Sequence, residues 1–265
     1  MVIMGSIPEA VWTDCCANLN ELDLGFYTEE FDCWKLGGYF AVCNATLEDS
    51  DINLANELLT AIGQAIGYAL DKAILYGTGT RMPQGIMERL AETSAPGGYP
   101  ETARPWTDLH TTNIISIASG TTGADLVAEI VAAFGAAKSV YGRGVKVFVM
   151  NETTYTALVS AMVSVNTSGA IVTGLGGTMP VIGGTIEVLN FIPDNVIIGG
   201  YFDLYTLVER AGKKFATSEH VRFLQDQTVF KGTARYDGAP TIAEAFVAIG
   251  LNGVTPDDTM TFHLM

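Results

Sequence analysis

The sequence predicts an α+β fold, and three stretches carry that expectation. Residues 51–76 read as one long amphipathic helix. Residues 122–163 run helix, strand, helix, the pattern of helices packed on a sheet. From Tyr201 onward the pattern changes to long antiparallel strands separated by turns.

The first 46 residues are irregular, acidic and dense in aromatics: Trp12, Phe26, Tyr27, Phe31, Trp34, Tyr39 and Phe40. Residues 7–12 are compatible with extended chain. Gly37-Gly38 reads as a turn or bulge, and 39–42 as a strand. Up to Leu70 there are eleven acidic residues and one base, Lys35. About half of the aromatics can pack inside the molecule, but exposing the rest is costly, and contiguous exposed apolar surface marks a contact site.

In the long helix, Ser50 is the candidate N-cap, with Glu48, Asp49 and Asp51 beside the positive end of the dipole. Leu54, Leu58, Ile62, Ala65, Ala69 and Ala73 recur at helical spacing, and Ala55, Leu59, Ile66, Leu70 and Ile74 widen the stripe. Gly63 and Gly67 cost about 1 kcal/mol each in propensity, which suggests that something approaches the backbone closely there. Gly77-Thr78-Gly79-Thr80 stops the helix and Pro83 forbids its continuation.

Residues 80–106 form a loop-rich passage with Pro96-Gly97-Gly98 as its clearest turn. A short apolar run covers 114–118. Thr122 and Asp125 suggest a capping box for a second helix, with Leu126, Val127, Ile130, Val131, Phe134 and Ala137 on its apolar face. Residues 145–150, VKVFVM, are the strongest strand, and Asn151 caps the helix that follows. A glycine-rich loop spans 168–177. Strands are expected at 185–190, 196–198, 205–209, from Lys214, and at 228–236, the last ended by Asp237-Gly238. Residues 240–249 return the chain to the core.

Length allows one or two domains. The formal charge of −15 repels nucleic-acid phosphate, so duplex binding is not expected. Cys15, Cys16, Cys33 and Cys43 show no metal-ligand spacing, so they read as free thiols of a reducing cytosol, with no metal and no cofactor. The first residues lack the regions of a signal peptide, and no run of 18 apolar residues exists to span a membrane.

The glycines at 77–79 follow a helix rather than opening one, which places them at the wrong end of the dipole for phosphate, and no Lys-Ser or Lys-Thr pair follows. Asp203, Asp237, Glu244 and His220 could be imagined as acid–base groups, but carboxylates at turns and strand ends are usually solvated. His110 and His263 read as surface histidines, and no G-x-S-x-G elbow is present. No catalytic residue is assigned.

Four blocks in the first helix region resemble a known family: Glu48-Asp49-Ser50, Ala69-Leu70-Asp71, Leu75-Tyr76-Gly77-Thr78-Gly79 and Pro83-Gln84-Gly85-Ile86. Near the C-terminus, Arg210 before Gly212, Arg235, Asp237-Gly238 and Ala245-Phe246 continue the likeness. Together they resemble the major capsid proteins of tailed phages with the HK97-like fold. The resemblance implies a long spine helix, a peripheral β-rich domain and an axial α/β domain. Residues 1–46 would be the N-terminal arm and extended loop, 47–104 the peripheral domain with the spine helix, 105–198 the axial domain, and 199–265 the return to the peripheral domain.

The implied function is structural: a non-enzymatic subunit that self-assembles into an icosahedral head shell of a phage or prophage around DNA. Its partners would be copies of itself in hexamers and pentamers, with scaffold, protease, portal or decoration proteins. Assembly would take place in the bacterial host cytoplasm, and the product would be the virion capsid. The assembly-contact candidates are Trp12, Phe26, Tyr27, Phe31, Trp34 and Lys35 on the arm side, and Arg210, Lys213, Lys214 and Arg235 on the more basic strands. Many family members carry a removable helical scaffold segment ahead of the arm. Nothing before Ile7 supplies one, which leaves a truncated chain or scaffolding from elsewhere. Lys35 is the only N-terminal base that could enter the Lys–Asn crosslinks of some members, and no motif around it supports that chemistry. The alternatives are an encapsulin-type compartment shell, which shares the fold, and an α/β enzyme.

Overall fold

The computed structural model describes the chain except residues 6, 14, 16–17, 20, 23, 51–52, 139–141, 163, 166–170, 174–178, 180–182 and 264–265. Most of the glycine-rich loop expected at 168–177 lies outside the described residues, as do Cys16 and Asp51.

The long helix, α2 (Leu54–Tyr76), is continuous through Gly63 and Gly67 and is about 34 Å long. Its N-cap is Asn53, whose side chain accepts from Asn56 N at 3.3 Å, rather than Ser50. A short helix, α1 (Asn44–Glu48), occupies the preceding acidic run, and Ser50 falls in the link between the two. At the other end, Gly77 N donates to Ala73 O at 2.8 Å, and Gly85 N donates back to Gly77 O at 2.7 Å. A Cβ on Gly77 would lie 2.2 Å from Pro83 O, so the stop depends on a residue without a side chain. The turn leads into α3 (Ile86–Ala91).

A four-stranded antiparallel sheet packs on α2. Its centre is β12 (Gln227–Pro240), with β3 (Trp34–Cys43) along one side and β10 (Tyr205–Glu209) and β11 (Lys214–Arg222) along the other. Ile62 and Ile66 of the helix meet Phe230, Ala234 and Tyr236 of β12. The sequence expectation that this helix packs on strands far away in sequence therefore holds.

Two local expectations do not. Gly37-Gly38 makes no turn: β3 runs straight through it, with Gly37 opposite Thr233 and Gly38 opposite Gly232. A Cβ on Gly37 would sit 2.3 Å from Gly232 O, so glycine here permits close strand approach. Asp237-Gly238 likewise does not end its strand. Both residues pair with β10, opposite Val208 and Leu207, and β12 continues to Pro240.

The second, five-stranded sheet has the order β4 (Ile114–Ser116), β13 (Phe246–Gly250), β9 (Val196–Gly200), β5 (Val147–Met150), β8 (Thr185–Val188). Its inner strands are buried on both faces. Val149, Ile198, Phe246 and Ala248 join one core with Leu75, Tyr76, Met87 and Leu90. Phe148, Ile197, Val247 and Ile249 join another with Leu126, Ile130, Phe134 and Leu158. Double-sided burial explains why these strands read as unbroken apolar runs instead of alternating. Residues 199–265, expected as one return to the long helix, feed both sheets.

Helices α4 (Gly123–Phe134) and α5 (Glu152–Met162) contribute to the second core. Thr122 is the N-cap of α4 but makes no side-chain cap bond, so the capping box is not formed. The Asn151 cap is formed, its Oδ1 accepting from Thr154 N at 2.7 Å. Two small antiparallel pairs complete the fold: β1 (Val2–Met4) with β2 (Phe26–Thr28), and β6 (Ser164–Val165) with β7 (Ile171–Thr173).

Candidate functional site

Alternation along β12 sorts its side chains. Phe230, Ala234 and Tyr236 are buried toward α2, while Lys231 and Arg235 are exposed on the opposite face. Strand register then sets Lys35 opposite Arg235, and Lys214 opposite Thr233. Lys35, Lys214 and Arg235 line one open depression with Ala211, Thr233 and Ala234. Among the described residues, none of Lys35, Lys214, Lys231 and Arg235 enters an ion pair. A patch of unneutralised cations on a chain of charge −15 is a ready receptor for anionic groups.

Three of the sequence-predicted bases, Lys35, Lys214 and Arg235, are thus brought together. Arg210 is exposed nearby, its backbone N donating to Arg235 O at 3.2 Å. Lys213 instead acts on Asp71 of α2: burial raises the Asp71 carboxyl, and Lys213 opposes the rise.

The predicted aromatics separate into three groups. Trp34, Tyr39 and Phe40 lie exposed on β3. Phe26 and Tyr27 lie on β2, Phe26 exposed and Tyr27 half-buried, and Phe31 is half-buried in the link to β3. Trp12 belongs to no helix or strand and is 98% exposed, with Ile7, Val11 and Leu19 also exposed around it. Both ends of the stretch between β1 and β2 are fastened. Gly5 N donates to Gly25 O at 2.8 Å. The Met1 ammonium donates to Glu29 O at 2.6 Å. Asp237 Oδ2 accepts from Asp32 N at 2.7 Å and Cys33 N at 3.4 Å.

The carboxylates weighed as acid–base groups are held by the fold. Asp203 Oδ2 accepts from Arg143 N and Gly144 N, both at 3.0 Å. Glu244 accepts from Thr107 Oγ1 at 3.0 Å and faces Arg104 at 3.7 Å. His220 is exposed. Among the described residues no three His, Cys, Asp or Glu converge in a metal-holding group.

Sequence reasoning missed two features. One is a cleft of about 220 Å³ beneath the loop at 96–107. There the Arg89 guanidinium stacks over Trp106 at 4.8 Å, donates to Thr107 O at 3.3 Å and faces Glu92 at 3.6 Å. Burial pushes Arg89 down and Glu92 up, each opposed by the other's charge. Its members are scattered in sequence, so no local signal marks it. The other is the tip of the β11–β12 hairpin, where Val221, Phe223 and Leu224 are exposed. The apolar residues of VRFL stand in the sequence, but their exposure leaves no local sign.

A family model described as "Phage capsid family" matches residues 2–250. No curated protein matches the sequence. Among solved structures, the capsid of a native GTA particle is 18% identical with a TM-score of 0.63, covering 95% of this chain and 84% of that one. A structure from Mycobacterium phage Adephagia is 13% identical with a TM-score of 0.68, covering 97% and 85%. One from Microbacterium phage Oxtober96 is 15% identical with a TM-score of 0.65, covering 95% and 85%. These likenesses in coordinates show a shared fold.

Proposed function

The chain belongs to the phage capsid family, and from that premise we propose how it assembles. It is a major capsid protein, a structural subunit of a phage head shell with the HK97-like fold. The finer reading is that each copy reaches a neighbour with the stretch between β1 and β2. The observation that supports it is Trp12, 98% exposed in a stretch that also exposes Ile7, Val11 and Leu19 and whose described residues form no helix or strand. A shell subunit leaves such surface bare only until a neighbour covers it. Desolvated aromatics supply most of the affinity, and exposed ion pairs add about 0–1 kcal/mol each.

On this reading α2 and the four-stranded sheet are the peripheral unit, and the five-stranded sheet with α4 and α5 is the axial unit. Trp12, Phe26, Tyr27, Phe31 and Trp34 anchor the arm side of the contact, and Lys35, Arg210, Lys213, Lys214 and Arg235 orient it. Copies close into hexamers and pentamers in the host cytoplasm, with scaffold, protease, portal or decoration proteins as further partners. No reaction centre is required for this work.

The Gly5–Gly25 contact gives a clean test. Replacing residues 6–24 by Asn-Gly closes the β1–β2 hairpin with a two-residue turn. The variant is expected to keep its circular dichroism and melting profile yet form no shells by sedimentation and electron microscopy. Raising salt should weaken wild-type assembly only partly, because apolar burial survives screening. Normal shells from the shortened chain would overturn the arm reading.

A further inference from the structure

We propose that the depression among Lys35, Lys214 and Arg235 is an anion site that takes a diphosphate group, the chemistry shared by free pyrophosphate and a nucleoside diphosphate. The inference goes beyond the assembly reading, in which these cations only orient a contact, and does not rest on it.

Register forces the three cations together. β12 pairs with β3 from Gln227 to Tyr236 without a shift, which sets Arg235 directly opposite Lys35. β11 sets Lys214 opposite Thr233, two residues from Arg235 and on the same face of β12. Directly opposite residues stand about 5 Å apart at Cβ and diagonal ones about 7–8 Å, and like charges set opposite one another destabilise a sheet. A one-residue slip of β3 would separate Lys35 from Arg235, but it would also turn Leu36 out of its packing on the core beneath α2. The fold therefore holds a repulsive cluster in place, and a bound anion relieves it.

No acid of the protomer answers this charge. Among the described residues Lys35, Lys214 and Arg235 enter no ion pair. Asp237 follows two residues beyond Arg235, but its carboxylate accepts from Asp32 N, Cys33 N and Gly238 N. Glu209 is set opposite Tyr236, whose side chain it bonds, on the other face of the sheet. Arg210, exposed nearby, adds to the positive field.

Shape and charge select the ligand. The depression holds about 350 Å³. Gly37, opposite Thr233, brings no side chain, and Ala211 and Ala234 are small, so the floor lies low between three long cationic side chains. Arg235 offers a planar fork that meets two phosphate oxygens at once, while the lysines act as point charges. Two phosphoryl groups bring about three negative charges, which matches the three cations; a carboxylate brings one. No aromatic ring lines the depression to hold a base, so the diphosphate is what the site reads.

Isothermal titration of sodium pyrophosphate into the dissociated full-length protein, at constant low ionic strength, tests this. One site per chain is expected, with a dissociation constant between about 1 and 10 mM, weakened by added sodium chloride. Orthophosphate should bind several-fold more weakly, and ADP should match pyrophosphate. Arg235→Gln should weaken pyrophosphate at least about fivefold, and Arg235→Lys, which keeps the charge but not the fork, should weaken it less. Lys35, Lys214 and Arg235 are all exposed, so folding is not at stake, and Lys138→Gln, an exposed cation beyond α4, should change nothing. No saturable heat, or an affinity unchanged in both Lys35→Gln and Arg235→Gln, would overturn the site. ADP binding far more tightly than pyrophosphate would overturn the reading of the diphosphate alone. Tighter binding of a thymidine oligonucleotide would overturn the small anion in favour of a nucleic-acid backbone. All of these are read on protomers, so their failure leaves the arm reading standing.

Discussion

The Cβ that Gly232 lacks would stand 2.3 Å from Cγ2 of Ile62, so α2 and the four-stranded sheet meet where only glycine fits. Ile62 is 3% exposed, and Phe215 crowds the same spot at 3.1 Å, so an added methyl would meet both side chains at once. Gly232→Ala should therefore cost about 1–3 kcal/mol by overpacking. Urea unfolding checks this: the midpoint should fall with an unchanged slope. A midpoint equal to the parent's would show that the helix can lift off the sheet at little cost.

Gly67 behaves in the opposite way. The two helix glycines were expected to mark a close approach, but among the described residues nothing lies within 4 Å of a Cβ placed on Gly67, and on Gly63 it would meet only Phe215 Cζ at 3.9 Å. The close approach to α2 comes from the sheet's glycine, not from its own. Gly67→Ala should raise protomer stability by about 1 kcal/mol through helix propensity. A thermal melt of the dissociated protein would read this as a higher midpoint, and a lower one would indicate a contact the protomer does not reveal.

How far the fold was legible follows from the range of each signal. The stop of α2 at Gly77 and the cap at Asn151 are local, and both were readable. So was the dry sheet, because burial on two faces leaves unbroken runs such as VKVFVM. The pairing of Lys35 with Arg235 spans 200 residues and leaves no local trace, so the basic depression could be composed from charge counts but not located. Glycines misled because their freedom suits both turns and tight straight strands. Gly37-Gly38 reads as a turn or bulge and Asp237-Gly238 as the end of its strand, yet strand pairing runs on through both. The cleft at Arg89 and Trp106 depends on loop packing, which no periodicity encodes.

Asp237 illustrates what replaced the expected turn. Its Oδ1 accepts from its neighbour Gly238 N at 2.8 Å while Oδ2 holds Asp32 N and Cys33 N. Cys33 sits at φ +50°, an unfavourable region for a side chain, and this grip helps keep it there. Asp237→Ala should lower stability by about 1–3 kcal/mol, the range for losing bonds to a charged acceptor. It should also speed amide exchange at 29–34 while leaving 62–76 unchanged. Uniform acceleration across both segments would mean general loosening rather than release of a local latch.

Acidity should stabilise this protomer rather than unfold it, at least at first. Burial raises the carboxyls of Glu29, Glu88, Glu92 and Asp71 above their ordinary values. The Met1 ammonium, Arg89 and Lys213 oppose the rise at Glu29, Glu92 and Asp71 respectively, without cancelling it. A raised folded value means that the native chain binds these protons before the unfolded chain does. Stability then increases as pH falls through the raised values, and the gain is complete below the unfolded ones, at about 4. Reducing the charge of −15 acts in the same direction by relieving self-repulsion. Thermal midpoints of the protomer should accordingly climb as pH is lowered from 7 toward the ordinary carboxylate range. Glu92→Gln removes one of the four groups together with its repulsion from Glu88, so it should flatten that climb; an unchanged slope would show that general charge repulsion, not the buried carboxyls, sets the pH dependence.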